Sequence, residues 1–80
     1  MYVYVVTFSN GLIYGIYAKR ESAKTDAEEL FERIINSDIL NDGGEVKKYY
    51  HEDNVQICFS AWLNGSNIQV NIRKMEVFEN

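Results

Sequence analysis

The sequence predicts an α+β domain with one helix packed on an antiparallel sheet of about five strands, in the order ββαβββ. Three observations carry this. Asn10-Gly11 and Asn64-Gly65 each interrupt runs rich in β-branched and aromatic residues, the mark of a tight hairpin. Between them Ala23, Ala27, Leu30, Phe31, Ile34 and Ile35 recur at helical spacing and make one apolar stripe. A single stripe covers a single sheet face, so the other face is left to water or to a partner.

The first strand is expected over Tyr2 to Ser9 and the second over Leu12 to Ala18, joined by a two-residue type I′ turn at Asn10-Gly11. That loop sets Ser9 opposite Leu12 and fixes every pair behind it. Val3, Val5 and Thr7 then share a face with Ala18, Ile16 and Tyr14. Tyr4, Val6 and Phe8 share the other with Tyr17, Gly15 and Ile13. The first set is smaller and more aliphatic and is expected to be the core. The second, with Tyr2 at its end, is expected to face away from the helix.

The helix is expected over Arg20 to Asn36. Its polar side carries Asp26, Glu28, Glu29, Glu32 and Arg33, with Lys24–Glu28 and Glu29–Arg33 at i,i+4 spacing. Ser37, Asp38 and Asn41-Asp42-Gly43-Gly44 read as a loop, with Ile39 and Leu40 plugging the end of the core. A third strand follows over Glu45 to Tyr50, and His51-Glu52-Asp53-Asn54 as a turn. The fourth strand runs from Val55 to Leu63 and the fifth starts at Asn67. Their hairpin register puts Ala61, Phe59 and Ile57 with Ile68, Val70 and Ile72 on one face. Trp62, Ser60, Cys58 and Gln56 lie with Asn67, Gln69, Asn71 and Arg73 on the other. Beyond Ile72 the apolar phase slips to Met75 and Val77, which predicts a β-bulge near Arg73-Lys74 and a continuing strand over Met75 to Phe78.

Eighty residues make one domain with a small core. A net charge of −4 argues against direct binding of nucleic acid, which needs a basic patch. The single cysteine, Cys58, allows no disulfide within the chain and points to a reducing, cytoplasmic setting. No apolar run is long enough to span a membrane. The opening MYVYVVTF lacks a basic segment and continues as a patterned strand, so it reads as structure and not as a signal peptide.

No catalytic constellation stands out. His51, the only histidine, falls in a turn with no second group placed beside it by the sequence. Cys58 lies between Gln56 and Ser60 without a base or an electropositive setting. Asp38, Asn41 and Asp42-Gly43 sketch a calcium loop, but Leu40 and Tyr49 stand where oxygen ligands are needed. Gly43-Gly44 is followed by neither helix nor lysine, so it is no phosphate loop. An enzyme, a metal site and a cofactor are therefore not expected.

The run Tyr2-Val3-Tyr4-Val5-Val6-Thr7, the return strand Tyr14-Gly15-Ile16-Tyr17 and the helix opening Lys19-Arg20-Glu21-Ser22-Ala23 carry a resemblance. Over about the first thirty residues the chain resembles small accessory proteins of bacteriophage genomes, with a "VYVVT" strand, a "GIY" return and a "KEEA" helix start. The resemblance implies an anti-defence protein, of the anti-CRISPR kind, that binds instead of catalysing.

The functional expectation is thus a small phage-type inhibitor that blocks a host protein, such as a CRISPR effector, by steric occlusion in the host cytoplasm. Tyr4, Phe8, Tyr17 and Trp62 are the expected anchors, because aromatics with a polar edge suit partly wet interfaces. Glu28, Glu29 and Glu32 are the expected charge partners. Two other readings stand beside it. One is a homodimer or larger homo-oligomer whose aromatic faces meet and sequester a small nucleotide signal. The other is an acidic mimic of nucleic acid.

Overall fold

A computed structural model describes residues 1–42, 46–63 and 65–78 of the chain. Among these residues five strands and one helix follow one another as β1 (Tyr2–Phe8), β2 (Ile13–Tyr17), α1 (Arg20–Asp42), β3 (Val46–Glu52), β4 (Gln56–Leu63) and β5 (Ser66–Glu76). The strands form one antiparallel sheet in the order β2-β1-β5-β4-β3, so the last strand is its centre. The helix lies over β1, β5, β4 and β2. The α+β class and the ββαβββ order are those the sequence predicts.

The second hairpin pairs as expected: Ala61 with Ile68, Phe59 with Val70, Ile57 with Ile72. All but the half-buried Ile68 are buried, and they meet Ala23, Ala27, Phe31 and Ile35 of α1 in the core. Gly65 takes φ +83 at the turn, where a side chain would be strained. Its predicted partner Asn64 lies outside the described residues.

The first hairpin differs from expectation in two ways. Its loop is three residues long, not two. Gly11 N–H donates to the Phe8 carbonyl at 3.0 Å and Phe8 N–H to the Leu12 carbonyl at 2.9 Å. Asn10 Oδ1 accepts from Leu12 N–H at 3.1 Å, and Gly11 stands at φ +85. A three-residue loop closed by a left-handed glycine is the next commonest hairpin turn. It shifts the pairing by one, so Thr7 faces Ile13. An extra residue, Tyr14, then restores the expected pairs Val6–Gly15, Val5–Ile16 and Tyr4–Tyr17.

The second difference is the face. Val6 is fully buried under the helix, with Tyr4 and Tyr17 packed against the same cluster. The Tyr4, Val6, Phe8 and Tyr17 side is therefore the covered one, and Val3, Val5 and Ile16 look outward. The expected assignment is inverted. The physical reason is that both faces of this hairpin are apolar, so its own pattern does not choose; packing chooses, with Val6 joining Ala23, Ala27, Phe31 and Ile35 in the core and Tyr4 and Tyr17 half-buried against that cluster.

Two elements also run more than a residue past their expected ends, and one expected bulge is absent. The helix continues to Asp42, six residues past the expected end. Ser, Asp and Asn cost only tenths of a kcal/mol in an exposed helix interior and do not break it. The side chains of Ile39 and Leu40, and residues 43–45, lie outside the description. Strand β3 runs to Glu52, so His51 is in a strand and the turn starts at Asp53. No bulge occurs at Arg73-Lys74: β5 pairs with β1 in one unbroken register from Phe8–Val70 to Tyr2–Glu76. Met75 and Val77 mark no phase slip; they are apolar residues on the outer side, both exposed.

Candidate functional site: the open sheet face

Alternation along the strands puts one residue set on the face away from α1. The cross-strand pairs arrange that set in rows. Lys47, Trp62 and Asn67 make the first, and Tyr49, Ser60 and Gln69 the second. His51, Cys58, Asn71 and Thr7 make the third, and Gln56, Arg73, Val5 and Ile16 the fourth. One half of the face is therefore polar and aromatic. The other half, around Val3, Val5, Ile16 and Met75, is aliphatic.

Trp62 is 47% exposed and Tyr49 is 53% exposed, large values for rings on a sheet. They are diagonal neighbours on adjacent strands, about 7–8 Å apart at the backbone, close enough for one partner surface to touch both. Ser60 Oγ donates to Asn67 Oδ1 at 3.4 Å beside Trp62. The charged strand residues here are Lys47 and Arg73, and among the described strand residues of this face none is acidic. Asp53 borders the face at the turn, where its carboxylate is occupied. Oδ1 accepts from Val55 N–H and Gln56 N–H, each at 2.8 Å, and Oδ2 lies 3.1 Å from His51 Nε2. Those two backbone donors first, and then His51, hold its carboxyl below the usual range.

The anchors expected from sequence do not share this surface. Trp62 stands on it. Tyr4 and Tyr17 pack beneath the helix, half-buried. Burial first, and then the carboxylate of Asp26, raises the Tyr17 phenol. Phe8 also lies on the helix side, in a hollow with Ile34 and Ile68, with Tyr14 edge-on at 5.8 Å. Glu28 and Glu29 are exposed on α1, and Glu32 is held by Lys48 Nζ at 3.0 Å. The acidic helix and Trp62 therefore point to opposite sides of the domain. No flat partner surface can meet both at once.

His51 and Cys58 are direct cross-strand partners, with Asn71 on the far side of Cys58. The sequence reading missed this row because it ended the third strand at Tyr50. A histidine beside a thiol, oriented by Asp53, has the ingredients of a nucleophilic site. The chemistry does not follow from the geometry. The imidazole bonds to Asp53, and no hydrogen bond joins it to the thiol. Burial raises the Cys58 pKa, which disfavours the thiolate.

On the helix side, an open groove of about 440 Å³ runs between α1 and β3, its lining including Lys24, Glu28, Phe31, Glu32, Lys48, Tyr50 and Phe59. Its ends are tied by side chains. Lys24 Nζ bonds Glu52 at 2.9 Å, so it pairs across the groove and not with Glu28. Arg20 reaches Glu52 at 3.5 Å and donates to the Asp53 carbonyl at 2.6 Å. The Tyr50 hydroxyl, then Lys24, hold Glu52 down to about 2. This cluster joins the helix start to the edge strand and is structural.

No protein-family model, curated protein or solved structure matches the chain. No group of histidine, cysteine and acidic residues suited to a metal is present among the described residues. No helix among them is long and apolar enough to cross a membrane.

Proposed function

We propose that this chain is a small, non-catalytic inhibitor that docks a host protein through its open sheet face and blocks it sterically. The single observation that carries the reading is that face: a five-stranded sheet covered on one side only, presenting Trp62 and Tyr49 over amide and hydroxyl side chains. Tryptophan and tyrosine supply large contact area at low entropic cost and dominate interfaces energetically. The surrounding Asn67, Gln69, Asn71, Gln56 and Ser60 offer both donors and acceptors to a polar rim.

The resemblance of the first thirty residues to phage accessory proteins nominates the target class. It is a host defence component, with a CRISPR effector first, met in the host cytoplasm. The acidic helix supports a nucleic-acid mimic less well. Lys24, Arg33 and Lys48 are interspersed among its carboxylates, so it offers no uniform phosphate-like array.

The test is binding of Trp62→Ala and Tyr49→Ala to a purified candidate effector. Both positions are about half exposed, so the far-ultraviolet circular dichroism is expected to stay that of the parent. Each variant is expected to lose tenfold or more in affinity, about 1.4 kcal/mol. Unchanged affinity in both would reject the reading.

A further inference from the structure

We infer that β2 is the seam of a homodimer, formed by two copies of this chain pairing edge to edge. The sheet has two open edges, β2 and β3, and they are built differently. Strand β3 places Lys47, Lys48, His51 and Glu52 within seven residues. Charged side chains, lysine above all, are how sheets keep an edge from pairing. Strand β2 reads Ile-Tyr-Gly-Ile-Tyr and has no charge at all. Its outward N–H and C=O groups are a template without a guard.

The side chains around that edge are apolar and open. Leu12 and Ile16 are each 62% exposed, and Ile13 and Tyr14 are exposed beside them. Val3 and Met75 continue the surface around the corner onto the outer face. Exposed apolar side chains gathered at an unpaired strand edge favour association.

A second copy is the occupant that the charges favour. In any register, two β2 strands oppose no like charges, since neither has one. A two-fold seam centred on Ile16 sets Ile16 against Ile16 of the second copy on the outer face, an aliphatic β-branched pair, and Gly15 against Tyr17 on the other face. The acidic groups of the chain lie chiefly on α1, and Asp26, the acid beside Tyr17, is on the covered side. The extra residue at Tyr14 distorts the strand near its loop, so pairing is confined to the regular stretch from Gly15 to Tyr17. The seam is short, and side-chain burial has to supply much of its strength.

The pairing has a functional consequence. An antiparallel seam about a two-fold axis normal to the sheet makes one continuous ten-stranded sheet, with both outer faces on the same side. The two β4 strands are then seven strand spacings apart, roughly 34 Å. The dimer offers two Trp62 surfaces facing one way, suited to a target with two equivalent sites.

Sedimentation equilibrium of the full chain, from about 1 to 100 μM, is the test. The wild-type protein is expected to approach twice the chain mass at the upper end. Ile16→Lys and, independently, Ile13→Lys are expected to be monomeric throughout, with unchanged circular dichroism because both sites are exposed. Trp62→Ala is expected to remain dimeric. A wild-type monomer at the highest concentration overturns the inference. So does a dimer indifferent to both lysine substitutions, or one dissolved by Trp62→Ala. None of these outcomes depends on the inhibitor reading, which is tested by affinity for the target.

Discussion

Trp62 is the residue on which the proposed docking rests, and its placement was legible because the Asn-Gly pair at 64–65 sets the register of its hairpin in the sequence. Once Leu63 faces Ser66, the apolar set of Ile57, Phe59 and Ala61 falls on one side and Trp62 falls on the other. Cys58 falls on the same side, and its chemistry is predictable in sign. Burial raises the thiol pKa, so less thiolate is present near neutrality than in a free cysteine. Reaction with a disulfide reagent at neutral pH is expected to be slower than for a cysteine peptide, and Cys58→Ser should leave target binding intact. A rate above that of the peptide would restore the His51–Cys58 row as a candidate nucleophile. That row was not legible, because nothing in Lys47-Lys48-Tyr49-Tyr50-His51 says where a strand of mixed polar residues stops. The Asp53 carboxylate, capping two backbone N–H groups, marks the stop, and it is a contact across a turn.

At the scale of elements, two couplings decide what the strands present. The first is α1 against the β1–β2 hairpin. Both faces of that hairpin are apolar, so its own pattern does not choose between them. The choice is made by packing across the sheet: Val6 joins the α1 residues in the core with Tyr4 and Tyr17 against them, which turns Val3, Val5 and Ile16 outward. The second is the tie between α1 and the end of β3. The Glu52 carboxyl is depressed to about 2 against an ordinary 4.5, so its contribution is full above about 4.5 and fades as pH falls toward 2. Lys24 is shifted the other way, by Glu52 first and then Tyr50, so its share holds below the ordinary lysine value and is lost as pH rises through the raised one. The difference in urea midpoint between the wild type and Glu52→Gln is expected to be constant near neutrality and to shrink toward zero in strong acid. A difference that persists at pH 2 would show that Glu52 acts through packing and not through its charge.

Over the whole molecule, the protein is two layers, a helix on a five-stranded sheet, with the far face of the sheet left open. Its core is held by few residues, as its size requires. Ile72 is one of the largest buried side chains and lies between Val6 of β1 and Ile57 of β4. Ile72→Ala is expected to cost about 2–5 kcal/mol, a large part of the stability of a small domain, read as a drop in urea midpoint without a change of slope. The α+β class and the order of elements could be read from sequence, because two glycine turns and one apolar stripe determine them. The division of aromatic residues between core and surface could not, because it depends on packing between the helix and a hairpin that is apolar on both faces. The outcome is a domain with acids on one side and tryptophan, tyrosine and amides on the other. The measurement that tests this division most directly is affinity for the target of Trp62→Ala beside that of the triple variant Glu28→Gln, Glu29→Gln, Glu32→Gln. Binding through the open face predicts a loss of tenfold or more for Trp62→Ala and less than threefold for the triple variant, about 1.4 and 0.7 kcal/mol. The reverse order, with the acids essential and Trp62 dispensable, would contradict it.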